Sequence, residues 1–255
     1  MKQLGIIGNP LEHSWSADMF NAKFEREGID ALYALYPIKK LNERTLGEVV
    51  RMNRLSGFNV TIPYKKAIIP MLDGLSETAR RIGAVNVVKV EWKGEKYRLT
   101  GYNTDYIGFM ESLLPLLKGC DLSIRKALVL GTGGAAHAVR YALEEKLTPP
   151  WEVVMVSRTM DNRQYMTYRQ LTAEIIREYR LIVNCTPVGM YPSADDCPAI
   201  PYEAIDKQHI LFDCIYNPEE TMFLRKGRER GAKTLNGMQM LEIQAREAWK
   251  KWNEF

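Results

Sequence analysis

Lys65 and Asp105 have the residue types and settings from which chemistry can be read first. Lys65 lies just beyond Gly57 to Thr61, which reads as a strand stopped by Pro63. That puts it at the carboxyl end of a strand, where open α/β sheets bind their ligands. Asp105 closes the run Gly101-Tyr102-Asn103-Thr104-Asp105 just before a helical segment, a place that would equally suit helix capping or pairing with the helix dipole. A lysine and an aspartate brought together fit the interconversion of a carbonyl and an alcohol. The ammonium supplies the proton that oxygen needs as hydride arrives at carbon, and partial desolvation moves its pKa towards working pH.

Several polar residues stand where a core prefers carbon. Asn59 and Thr61 alternate on one strand face, while Phe58 and Val60 point the other way. Asn86 interrupts the apolar run Ala84-Val85-Asn86-Val87-Val88, and Gln244 falls on or beside the apolar face of the closing helix, among Met240, Leu241, Ala245 and Ala248. Buried amides and hydroxyls need partners, supplied either by nearby backbone or by a ligand. Four such residues point to a polar ligand rich in hydroxyls.

A second constellation suits a dinucleotide. The apolar run Lys126 to Leu130 is followed by Gly131-Thr132-Gly133-Gly134-Ala135-Ala136 and then by a helix with Val139, Leu143 and Leu147 on one face. In this strand–turn–helix order, Gly131 permits the tight turn and Gly133 lets backbone approach a pyrophosphate. Ala136 lets helix and strand pack, and the N–H groups opening the helix bind phosphate. The next strand, Trp151 to Val156, ends not in an acid for a ribose hydroxyl but in Ser157-Arg158-Thr159, with Arg163 close behind. A guanidinium grips a 2′-phosphate, so the expected cofactor is NADP rather than NAD.

The elements that must position these residues form two strand–helix segments. In the first, strands are expected at Gln3–Ile7, Ala31–Tyr36 and Gly57–Thr61, helices from about Trp15 and over Leu41–Leu55, and a strand pair at Ala84–Val90 and Lys96–Thr100. In the second, a helix to about Leu117 precedes the glycine turn, further strands follow at Leu181–Asn184 and Ile210–Ile215, and a helix from Met238 to Trp252 closes the chain. Strands alternating with helices imply an α/β protein with mostly parallel sheets. With 255 residues, 46% hydrophobic and 26% charged, the chain suits one large or two small globular domains. A net charge of +4 without a dense basic run speaks against a nucleic-acid surface. The N-terminal apolar run is too short for a signal segment, and no long apolar span follows, so a cytoplasmic protein without a membrane partner is expected. The scattered cysteines Cys120, Cys185, Cys197 and Cys214 read as reduced thiols. His13, His137 and His209 are not spaced for metal ligation, so no metal is expected.

Taken in order, the motifs resemble those of the shikimate dehydrogenases. The matching pieces are Gly8-Asn9-Pro10-Leu11-Glu12-His13-Ser14-Trp15-Ser16, Asn59-Val60-Thr61-Ile62-Pro63-Tyr64-Lys65, Gly83-Ala84-Val85-Asn86 and Asn103-Thr104-Asp105. They continue with the Gly131 to Ala136 turn, Ser157-Arg158-Thr159, Asn184-Cys185-Thr186-Pro187, Tyr216-Asn217-Pro218 and Gly237-Met238-Gln239-Met240-Leu241 followed by Gln244. The resemblance implies a substrate domain over residues 1–104 joined by 237–255, and a Rossmann-like NADP domain over 105–236. It implies reduction of 3-dehydroshikimate to shikimate by NADPH, on the way to chorismate and the aromatic amino acids, by a monomer or homodimer. Ser14 and Ser16 resemble the pair that holds the substrate carboxylate. Asn59, Thr61, Asn86, Asp105 and Gln244 resemble its polar contacts, and Lys65 the catalytic lysine with Asp105 its partner. Tyr216 resembles a residue at the substrate and nicotinamide end. Gly131, Gly133, Gly134, Ala135, Ser157, Arg158, Thr159, Arg163, Thr186, Cys214 and Gly237 resemble the cofactor contacts. The sequence departs from the family's usual residues at Ala17, Phe20 and Val87. Those departures bear on quinate tolerance, and the two rivals are a quinate/shikimate dehydrogenase with broader substrate or NAD use and a non-catalytic metabolite sensor.

Overall fold

A computed structural model describes residues 1–12, 14–121, 123, 125–159 and 165–253. The chain divides into two compact units, Met1–Thr104 with Ala245–Phe255, and Asp105–Gln244.

The first unit runs β1 (Lys2–Gly8), α1 (Ser16–Glu27), β2 (Ala31–Pro37), α2 (Glu43–Met52), β3 (Gly57–Val60), β4 (Gly74–Leu75), α3 (Glu77–Ile82), β5 (Val87–Lys93) and β6 (Lys96–Tyr102). Its six strands are ordered β2-β1-β3-β5-β6-β4. β1 pairs parallel with β2 and β3, whereas β5 runs antiparallel to both β3 and β6. The amino end of β5 and the carboxyl end of β6 therefore lie at the same sheet edge as the carboxyl ends of β1 and β3. Alternation along the strands feeds two apolar clusters. Ile7, Phe58, Val60 and Val88 join Leu46 and Val50 of α2 in one, and Leu4, Ile6 and Val87 join Phe20 and Phe24 of α1 in the other. α2 starts where the sequence provides a cap: Asn42 accepts from the Thr45 N–H at 3.0 Å, and its own N–H donates to Thr45 Oγ1 at 3.1 Å.

The second unit runs α4 (Asp105–Leu117), β7 (Lys126–Leu130), α5 (Gly134–Tyr141), β8 (Glu152–Ser157), β9 (Tyr165–Thr167), α6 (Ala173–Glu178), β10 (Leu181–Asn184), β11 (Ile210–Asp213), α7 (Met222–Glu229), β12 (Lys233–Leu235) and α8 (Met238–Asn253). Its strand order is β12-β11-β10-β7-β8-β9, parallel throughout. This is the doubly wound dinucleotide-binding order, whose reversal falls between β7 and β10. Ala127 and Val129 face one apolar cluster and Leu128 and Leu130 the other, so helices cover both faces.

Three expectations shift. The return to the first unit begins at Ala245, inside α8, rather than at residue 237. Met240 packs in the second unit's core, while Ala245, Ala248 and Trp252 pack in the first unit's. Val139, Leu143 and Leu147 do pack in one apolar cluster, but the helix that carries them is not regular. α5 ends at Tyr141 and continues as a wider π turn over Ala142–Lys146, with the Leu147 N–H donating to the Ala142 carbonyl at 3.1 Å. The edge strands β9 and β12, each three residues long, were not expected.

Candidate active site

Six polar candidates of the first unit, Ser14, Ser16, Asn59, Thr61, Lys65 and Asn86, lie at or just beyond strand ends on the sheet edge just described. β3 ends at Val60, but the Thr61 N–H still donates to the Ile7 carbonyl at 2.9 Å, and Asn9 N–H to Ile62 O at 3.0 Å. This locks the segment after β1 beside Thr61. A methyl group on Gly8 would lie 2.4 Å from Thr61 Cγ2, so the two segments touch only because Gly8 has no side chain. Ser14 and Ser16 follow in that segment. The Ser14 N–H donates to Leu11 O at 3.0 Å, and Ser16 opens α1 and is buried. Lys65 is half-buried, and its carbonyl accepts from the Val85 N–H at 2.7 Å. That bond brings the lysine's turn against the strand start that carries Asn86.

Asn59 and Asn86 are part of the framework. Asn59 Oδ1 accepts from the Tyr33 hydroxyl at 2.7 Å, and its Nδ2 donates to the Asn86 carbonyl at 3.0 Å. Asn86 Oδ1 accepts the Thr104 N–H at 2.7 Å, and its Nδ2 donates to Thr104 Oγ1 at 3.0 Å. Asn103 Nδ2 donates to the Ala84 carbonyl at 3.0 Å. The buried amides that the sequence marks as ligand contacts thus fix the backbone that delivers Asp105, the next residue in the chain. Asp105 is fully buried at the start of α4. Gln244 lies over the first turn of that helix, with its Cβ 3.3 Å from where a Gly108 methyl would stand.

The second unit's candidates gather at the carboxyl edge of its sheet. Gly131 has φ +111°, a conformation that side chains rarely tolerate, and its N–H donates to Val156 O at 2.8 Å. Gly133 precedes α5 in extended conformation, without a side-chain cap, and a methyl group there would meet nothing within 4 Å. Glycine therefore leaves open space at the start of the helix opened by Gly134 and Ala135, as a pyrophosphate requires. Gly237 sits on the opposite side of the switch point. Its N–H donates to Ile215 O at 2.9 Å, and a methyl group there would stand 2.3 Å from the Cys214 carbonyl oxygen. Half-buried Tyr216 follows Ile215. Ser157 ends β8, its Oγ accepting the Thr159 N–H at 3.2 Å, and Arg158 and Thr159 are exposed. Arg163 lies outside the described residues. Open backbone at a glycine turn that begins a helix, and an exposed arginine after the next strand, fit NADP as the cofactor.

A buried polar network beneath this edge was missed. Asp213 is fully buried at the end of β11. Its Oδ1 accepts from Asn184 Nδ2 at 3.1 Å and the Ile215 N–H at 3.0 Å, and its Oδ2 from the Thr221 hydroxyl at 2.6 Å. Asn184 Oδ1 in turn accepts the Thr186 N–H and hydroxyl at 3.0 and 2.6 Å. The signal available was an aspartate ending the apolar run Ile210-Leu211-Phe212. Burial pushes the Asp213 carboxyl up to about 6 from an ordinary 3.8, and its three hydrogen bonds only partly oppose this. The folded state then holds this proton where the unfolded chain has released it. The stability it contributes is full below about pH 4 and is lost as pH rises through about 6. At about 1.36 kcal/mol per pH unit the change is ~3 kcal/mol. Asp213→Asn is expected to remove that dependence, so the difference in unfolding free energy between variant and parent should swing in the variant's favour from pH 4 to pH 7. A constant difference across this range would contradict the raised carboxyl.

Comparison with known proteins agrees with this arrangement. The family model described as the shikimate dehydrogenase substrate binding domain matches residues 6–88. The shikimate dehydrogenase (NADP(+)) of Carboxydothermus hydrogenoformans is 37% identical, over 98% of this chain and 91% of the relative. The chain belongs to the shikimate dehydrogenase family. Among solved members of the family, the shikimate dehydrogenase of Aquifex aeolicus superposes with TM-score 0.85 at 36% identity, covering 99% of this chain and 92% of that one. The shikimate 5-dehydrogenase of Thermus thermophilus, solved with NADP(H) and shikimate, gives 0.81 at 33% identity, covering 99% and 93%. Two mostly parallel sheets with helices, one per unit, are thus this family's fold carried by this sequence.

Proposed function

We propose that this chain is an NADP-dependent shikimate dehydrogenase, reversibly reducing 3-dehydroshikimate to shikimate on the route to chorismate and the aromatic amino acids. The observation that carries the reading is the match over 98% of the chain to relatives of that one named activity. NADPH, when bound, supplies the hydride to the ring carbonyl carbon. Lys65 Nζ gives the proton to the carbonyl oxygen as it becomes a hydroxyl, and the Asp105 carboxylate accepts from the adjacent ring hydroxyl. Ser14 and Ser16 donate hydroxyl hydrogen bonds to the substrate carboxylate, while Thr61, Asn86 and Gln244 hold ring hydroxyls. Tyr216 and Gly237 line the nicotinamide end, and Thr186 is a further cofactor contact. The four unbridged cysteines suit a cytoplasmic enzyme, acting on small molecules as a monomer or homodimer.

The test is a spectrophotometric assay of NADPH loss with 3-dehydroshikimate, run in parallel with NADH and, in the reverse direction, with shikimate and quinate. Failure to oxidise NADPH would favour a metabolite sensor. Comparable turnover of quinate, or equal efficiency with NADH, would favour the broader dehydrogenase. Arg158→Ala should raise KM for NADPH about 10- to 100-fold, since a charged hydrogen bond is worth ~1.5–3 kcal/mol, and leave KM for NADH unchanged. Parallel loss with both cofactors would remove Arg158 from the 2′-phosphate.

A further inference from the structure

β10 and β11 run parallel with Asn184 opposite Asp213. The next residue on each strand is a cysteine, and the ladder continues there, the Cys214 N–H donating to Asn184 O at 2.9 Å. Neighbouring strands stand roughly 4.8 Å apart, within the ~4.4–6.8 Å that the Cα atoms of a disulfide span. The two sulfurs are 3.6 Å apart, and both residues are half-buried. Cys120 and Cys197 instead contact Lys233 and Lys226.

We infer that Cys185 and Cys214 form a reversible disulfide with a low-molecular-weight disulfide as oxidant, and that closing it weakens NADP binding; the second half rests on the cofactor reading above. The Cys214 thiolate attacks one sulfur of the oxidant, breaking its S–S bond and releasing one thiolate, which takes a proton from water. Cys185 then loses its proton to solvent and attacks the Cys214 sulfur of the mixed disulfide, expelling the second small thiol. The protein loses two electrons and two protons, and the oxidant gains both. The order of attack follows from the surroundings. Burial, Cys214 and the carboxylates of Asp213 and Asp105 all push the Cys185 thiol up. Cys185 therefore holds its proton more tightly, which leaves Cys214 to attack first and Cys185 to resolve.

Bond formation would draw the sulfurs together by roughly 1.6 Å, to a bond of about 2.05 Å. The backbone on either side has no slack to absorb this. The Cys185 N–H donates to Leu130 O at 2.9 Å, and its carbonyl oxygen lies 3.2 Å from a methyl position on Gly131. The Cys214 carbonyl abuts Gly237. The pair thus lies between the phosphate turn and the glycine assigned to the nicotinamide end.

The experiment equilibrates the full chain in buffers of graded oxidised to reduced glutathione. It maps disulfides by peptide mass and measures NADP+ binding by calorimetry on fully reduced and fully oxidised protein. The expected result is a peptide linking positions 185 and 214. The Kd for NADP+ should be raised about tenfold or more on oxidation, ~1.4 kcal/mol per tenfold, and reversed by dithiothreitol, while Cys185→Ser should stop at a glutathione adduct on Cys214 with no linked peptide. No such link at any ratio overturns the disulfide, whatever the variant does. A linked protein with unchanged Kd overturns the switch. Reduced protein that does not bind NADP+ at all would sink the cofactor reading and the switch with it, while the mass map still decides the disulfide on its own.

Discussion

Lys65→Ala is expected to fold as the parent does and to lose about 10²- to 10⁴-fold in kcat, the range that a positioned proton donor contributes. Stability should hold because what fixes this turn is the Lys65 carbonyl, which accepts from the Val85 N–H and survives the substitution. KM for 3-dehydroshikimate should change far less than kcat, since the proton moves only as the carbonyl is reduced. Lys66 is the necessary control. Partial desolvation lowers its ammonium pKa, which makes it a second candidate donor. Yet its side chain is exposed, whereas that of Lys65 is half-buried at the edge shared with Thr61 and Asn86. Steady-state kinetics of Lys65→Ala and Lys66→Ala, each with a thermal melt, decide between them. Near-parent kcat in the first variant, or a collapse only in the second, would take the proton from Lys65.

The positions of these groups were legible where periodicity and chain direction were enough. The apolar run Lys126–Leu130 and the glycine sequence after it could form only a strand and a tight turn, and φ +111° at Gly131 is what that turn demands. The alternation of Phe58 and Val60 against Asn59 and Thr61 gave the face of β3 in the same way. What could not be read was where polar atoms find their partners. Asn59 and Asn86 were marked because amides in apolar company need hydrogen bonds, but nothing local says that one bonds Tyr33, 26 positions earlier, and the other Thr104, 18 positions later. Asp213 escaped for the converse reason. It ends an apolar strand and looks like the first loop residue, and only the arrival of Asn184 and Thr221 from other elements buries it. The π turn after Tyr141 and the three-residue strands β9 and β12 are set by tertiary packing on segments too short or irregular to show a period.

Asn86→Ala separates the two roles that this residue can play. If Asn86 served only to hold a ring hydroxyl, its loss would raise KM and leave the melting temperature alone. The hydrogen bonds argue for more. Removing the amide takes from Thr104 the acceptor of its N–H and the donor to its hydroxyl, in a place where Asn86 is 2% and Thr104 0% exposed, so water cannot replace either. Stranding buried polar groups costs about 1–3 kcal/mol each, and the lost volume adds to this, so a destabilisation of ~2–5 kcal/mol is expected by denaturant titration. Because Thr104 precedes Asp105 directly, the same loosening should lower kcat as well as raise KM. Asn86→Asp supplies the discriminating arm. Its carboxylate still accepts the Thr104 N–H, and the Thr104 hydroxyl can turn to donate, so the bonds are kept at the expense of a buried charge. Protonating that carboxyl relieves the charge, so the folded state should hold the proton more tightly than the unfolded chain. The variant's deficit relative to the parent should then shrink as pH is lowered, whereas the deficit of Asn86→Ala should not. An Asn86→Ala protein as stable as its parent, with a raised KM and unchanged kcat, would reduce Asn86 to a ligand contact and leave the placement of Asp105 to α4 alone.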